Sequence, residues 1–94
     1  MTYEQFVQVI MPTVFCPDDG KWIQEQLQQL ATSLRRKVVV KYAEAYQVAF
    51  YTESVSYRQE NKARHEANTR LRLFVESHGK ALQGYTVSPP LVVK

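Results

Sequence analysis

The sequence predicts a small all-α bundle of about four helices with an extended C-terminal tail, on two observations. Glycine and proline punctuate only the ends: Pro12, Pro17 and Gly20 come early, and nothing follows until Gly79, Gly84, Pro89 and Pro90. The 58 residues from 21 to 78 contain neither, whereas a β-sandwich or barrel needs turns about every 8–12 residues, usually marked by them. Apolar residues in the same stretch recur mainly at helical spacing. A chain of 94 residues, 45% apolar and 22% charged, allows one folded domain with one small core. That domain is placed at residues 1–83 and the tail at 84–94.

The elements follow in order. Thr2 and Gln5 form a capping-box pattern, Tyr3, Phe6, Val7 and Ile10 share a face, and Pro12 closes a short first helix. MPTVFCPDDG is a connector, and Asp18 or Asp19 is expected to cap the second helix. There Trp22, Ile23, Leu27, Leu30, Ala31 and Leu34 form an apolar stripe that Gln26 interrupts, with the turn to the third helix near Arg35–Lys37. Residues 38–51 fit a helix better than a strand. At period two Glu44 falls in the middle of the aromatic face, whereas at 100° per residue Val38, Val39, Tyr42, Ala43, Ala45, Tyr46, Ala49 and Phe50 share one broad face. Their β-branched residues and tyrosines also suit a strand. A break or kink is expected near 52–56, where Ser56 and Gln59 repeat the capping-box pattern. From Tyr57 onward Ala63, Ala67, Leu71 and Phe74 make a stripe, and Gly79 suits a left-handed cap. Pro89-Pro90 forbids helix in the tail, whose Leu91, Val92 and Val93 either dock or fray.

Composition excludes several function classes. One cysteine permits neither an internal disulfide framework nor a multi-cysteine zinc site. No apolar run is longer than four residues, too short for a bilayer. The N-terminus lacks the basic region and apolar stretch of a secretory signal, so a cytoplasmic setting is expected. Cys16 is the sole candidate nucleophile, and its only candidate bases, His65 and His78, lie far downstream. Those histidines fall on opposing helix faces and cannot share a metal. Asp18-Asp19 fits capping better than acid–base work, and no glycine-rich phosphate loop is present. No enzyme, cofactor, metal or small-molecule substrate is expected.

Charge is polarised along the chain. Residues 1–34 carry Lys21 against Glu4, Asp18, Asp19 and Glu25, whereas residues 35–72 carry nine of the twelve Lys/Arg. On the last long helix Arg58, Lys62, His65, Thr69 and Arg72 fall within about 80° of one another. Long cations in such a row can reach successive phosphates or an acidic protein, and Arg35, Arg36 and Lys37 would extend the surface. Glu60, Glu66 and Glu76 are interspersed, as on an ordinary solvated face. The glycine-free middle argues against a helix-turn-helix. Stacking on bases would need exposed aromatics, and Tyr42 and Tyr46 belong to the core face, leaving Tyr51 and Tyr57 open. Val40, Val48 and Tyr51 are apolar misfits on the polar side of the third helix. They predict an interface, most simply a two-fold homodimer, unless the tail or the first helix covers them.

The run YAEAYQVAFYTESVSYRQENKARHEANTRLRLFVE, residues 42–76, resembles small uncharacterised accessory proteins encoded in prophages of enteric bacteria. The resemblance covers about a third of the chain and carries over no site residue. It implies a bacterial cytoplasmic setting and a role in phage–host manipulation or DNA metabolism. The expected function is therefore a non-enzymatic accessory or regulatory protein that binds another protein. The alternative is nucleic-acid binding through the basic face.

Overall fold

The computed structural model describes residues 9–82, which form three α-helices and two short 3-10 turns, with no strand among them. The helices are α1 (Gly20–Gln28), α2 (Thr32–Thr52) and α3 (Gln59–Leu82). The 3-10 turns, Pro17–Asp19 and Ser56–Arg58, lead directly into α1 and α3. The all-α class is thus observed, with residues 38–51 lying wholly inside α2. Most of the expected first helix, and the tail at 84–94, lie outside the described residues; Val9–Cys16 contains no helix.

α2 and α3 form an antiparallel hairpin. Its register is fixed by Tyr42 bonding Asn68 near the middle and by Gln59 bonding the Phe50 carbonyl near the turn. The core takes Ile23, Leu27 and Leu30 from the α1 region, Val38, Val39, Tyr42, Tyr46 and Ala49 from α2, and Ala63, Ala67, Leu71 and Val75 from α3. Ala63 and Ala67 are completely buried and lack bulk, so α3 can lie close against its neighbours at these two positions. In front of α1 the extended segment packs Phe15 over Gly20, where a Cβ would stand 3.3 Å from the Phe15 ring. A side chain there would force the ring to give way.

Several sequence expectations are corrected. The second helix does not run to Leu34: α1 stops at Gln28, and Ala31 adopts extended backbone (φ −60°, ψ 147°) before α2 begins. The reason is tertiary. Leu30 is completely buried at the corner, and the Arg35 side chain closes it. Its Nε donates to the carbonyls of Leu27 (2.9 Å) and Leu30 (3.0 Å), and Nη2 to that of Gln28 (3.4 Å). A cation therefore adds charged donors to the carbonyls at the negative end of α1, where the Leu27 carbonyl also accepts from the Leu30 N–H at 3.0 Å, and Arg35–Lys37 belong to α2 rather than to a turn.

Asp19 occupies the N-cap position of α1, yet its side chain makes no capping hydrogen bond. Stronger partners on α3 claim it, as described below. Gly79 does not cap α3, which continues to Leu82. A single interior glycine costs only about 1 kcal/mol relative to alanine, and Lys80, Ala81 and Leu82 are good helix formers. The Ser56–Gln59 pair also works differently from a capping box. Gln59 Nε2 reaches back to the carbonyls of Phe50 (3.1 Å) and Glu53 (3.3 Å), so it closes the end of α2.

Leu27 is 1% exposed and Leu73 is 52% exposed, which gives an internal comparison. Leu27→Ala is expected to lower unfolding free energy by about 2–5 kcal/mol. Leu73→Ala should change it by no more than about 0.5 kcal/mol in the same urea titration.

Candidate functional site

The described residues present one partly buried polar network and two concave surfaces, on opposite flanks of α3. The network joins all three helices. Arg64 donates through Nε to Asp19 Oδ2 and through Nη2 to Oδ1, both at 2.9 Å, a bidentate pair. Asn68 Nδ2 donates to Asp19 Oδ2 at 2.9 Å, and Tyr42 Oη donates to Asn68 Oδ1 at 2.5 Å. Each orientation is complementary, because Asn68 accepts from the phenol on one side and donates to the carboxylate on the other. The Asp19 side chain is only 15% exposed and that of Arg64 32%.

Hydrogen bonds from Arg64 hold the Asp19 carboxyl below its ordinary value; burial opposes them and Asn68 adds to them. Burial pushes the Tyr42 phenol well above the usual tyrosine range, and the Asp19 charge adds to this. Tyr42 therefore stays a neutral donor at physiological pH. The same Asp19 bonds push Arg64 further up, leaving it a permanent cation. Nothing here resembles acid–base machinery, since each charge is neutralised by a fixed partner. The arrangement is a structural pin.

On one flank a groove of about 850 Å³ runs between α2 and α3. Its floor is apolar, with Leu34, Val38, Ala45, Val48, Leu71 and Phe74. Its rims carry Lys37, Lys41 and Arg70 against Glu44 and Glu66. The rim pairs Lys41–Glu44 (4.0 Å) and Arg70–Glu66 (3.9 Å) are long and exposed, so they bind each other weakly. At one end His78 stacks on Phe74 with ring centroids 3.9 Å apart.

On the other flank a shallow recess of about 400 Å³ is lined by Trp22, Asn61, Arg64, His65, Thr69 and Arg72 among others. Burial of Ile23 and Leu27 orients α1, so Trp22, one residue earlier, turns about 100° toward α3.

The sequence-derived candidates divide between these features. Arg58, Lys62, His65 and Arg72 are all exposed, and His65 and Arg72 line the recess. Arg72 also meets Glu76 at 3.3 Å. Arg35 is committed to the α1 carbonyls, Arg36 is exposed, and Lys37 lies on the groove rim. The structure therefore does not join Arg35–Lys37 to His65 and Arg72 in the recess. Val40, Val48 and Tyr51 are 55%, 63% and 76% exposed, on the side of α2 away from the core. Val48 reaches the groove; Val40 and Tyr51 are absent from its lining. Cys16 is buried at 4% exposure.

Trp22 is half-buried against the core, as its place in the apolar stripe predicts, and its remaining surface lines the recess; the pin was missed entirely. Arg64 and Asn68, four apart beside the Ala63/Ala67 stripe, were the available signal: polar groups that near a core face need buried partners. Among the described residues no cluster of His, Cys, Asp and Glu could hold a metal, and no helix is long and apolar enough to cross a membrane. Comparison with protein families, curated proteins and solved structures finds no match for this chain.

The pin makes a pH prediction. A depressed carboxyl stabilises the fold fully above its unfolded value of about 3.9, and the contribution is lost as pH falls through the folded value. Asp19→Asn should lower Tm at neutral pH, with the gap from the parent protein closing in acid as the parent's own carboxylate protonates. An equal gap at neutral pH and below about pH 3 would refute the assignment.

Proposed function

We propose that this chain is a non-enzymatic accessory or regulatory protein that acts by holding a segment of a partner protein in the α2–α3 groove. One observation carries this: an apolar trough between α2 and α3 remains open among the described residues, and core side chains such as Val38, Ala49 and Leu71 form part of its lining. The segment that fits is an amphipathic helix. From Leu34 to Thr52 the α2 wall rises about 27 Å, the length of roughly 18 helical residues. The floor suits an apolar stripe, and rims bearing both charge signs suit the mixed polar edge of such a helix. The likeness of residues 42–76 to prophage accessory proteins supports a phage-derived role, with a host or phage protein as partner.

Val48 supplies the test because it is exposed and reaches the groove, so its replacement leaves the core intact. In affinity capture from nuclease-treated bacterial lysate, Val48→Glu should reduce recovery of a partner identified by mass spectrometry by about tenfold or more. Val40→Glu, on the adjoining face, should leave recovery unchanged. Equal recovery with Val48→Glu, or loss of the partner on nuclease treatment alone, would refute the proposal.

A further inference from the structure

The recess on the opposite flank of α3 has its own chemistry. Trp22, the only tryptophan in the chain, contributes an indole that stands half-buried beside His65 and Arg72. Asn61 and Thr69 place an amide and a hydroxyl on the same wall, and no acidic side chain lines it. The carboxylate of Asp19, partly buried nearby, is engaged by Arg64 and Asn68. Arg64 is correspondingly neutralised, so it shapes the wall and does not count as a free cation. Beyond the recess the exposed Lys62 and Arg58 continue the row toward the start of α3. From Arg58 to Arg72 the row rises about 21 Å, enough to follow several nucleotides. The one acid on the row, Glu76, meets Arg72 at 3.3 Å where both side chains are half exposed, an ion pair that a phosphate can replace.

We propose that this flank binds single-stranded nucleic acid, with a base stacked on Trp22 and phosphates along Arg58, Lys62 and Arg72. A single strand fits better than a duplex. Its unpaired bases have free faces, an aromatic platform among cations is the usual means of holding them, and the indole is recessed beside α3 rather than projecting toward a groove. An acidic protein would use the cations but leave the indole without a role. This site is independent of the α2–α3 groove and stands if that proposal fails.

The sole tryptophan reports directly. Titrating the intact protein with oligothymidylate of about a dozen nucleotides at low salt should quench Trp22 emission to saturation. Three phosphate contacts predict a log–log salt slope of about −2. With a labelled oligonucleotide followed by anisotropy, the Lys62→Glu/Arg72→Glu double variant should bind at least tenfold more weakly, at about the level electrostatic loss predicts. Trp22→Ala should weaken binding by about tenfold through lost stacking, and Trp22→Phe, which preserves an aromatic face, should recover part of the loss. Circular dichroism of each variant excludes misfolding as the cause. Val48→Glu should bind the oligonucleotide normally. The proposal is overturned by absence of quenching at low salt, by inorganic polyphosphate or an acidic peptide competing as well as the oligonucleotide, or by equally tight binding to duplex.

Discussion

One carboxylate determines how the three helices sit together. Asp19 lies at the mouth of α1 and receives three hydrogen bonds from α3, two from Arg64 and one from Asn68. Asn68 in turn accepts from Tyr42 on α2. Without this link α1 is a nine-residue helix, too short to persist alone in water, joined to the hairpin by a three-residue corner. Burial of Ile23, Leu27 and Leu30 supplies the non-directional attraction, and the Asp19 pin supplies the direction. Largely apolar packing tolerates sliding; a bidentate pair inside a shared network does not.

The two concave surfaces follow from that placement. Because α1 lies against α3 on the Arg64–Asn68 side, its Trp22 joins a row of α3 cations there. The α2–α3 trough on the other side keeps its apolar floor uncovered by any described element. A helix as narrow as α3 thus serves two unlike environments. Its completely buried alanines face the core, Leu71 and Phe74 contribute to the trough, and His65, Thr69 and Arg72 look the opposite way. Arg35 has the complementary task at the α1–α2 corner, where its Nε donates to the Leu27 and Leu30 carbonyls.

The helical class, the core positions of Tyr42 and Tyr46, and the exposure of Val40, Val48 and Tyr51 were legible in the sequence because each depends on local period. So was the packing side of α3, marked by Ala63 and Ala67. The α1–α2 corner was illegible: the apolar spacing from Leu27 to Leu34 continues a helix without interruption, and Arg35–Lys37 oppose the dipole at a helix start. Only a contact across the corner, Arg35 onto the Leu27 and Leu30 carbonyls, breaks the run. Asp19 misled for a related reason. Its type and position are those of a cap, and the partners that outcompete capping lie 45 and 49 residues away. Trp22 carried the same ambiguity, since a core-stripe residue and a recess-lining residue have identical spacing until the orientation of α1 is known.

The dependence of α1 on its pin is most directly measured by native-state amide hydrogen exchange, comparing the parent protein with Asp19→Ala. Selective loss of protection at Ile23–Gln28, with Ala63–Leu71 still protected, is the outcome predicted for a helix held in place by one directional network. Unchanged protection of α1, or an equal loss across all three helices, would contradict it.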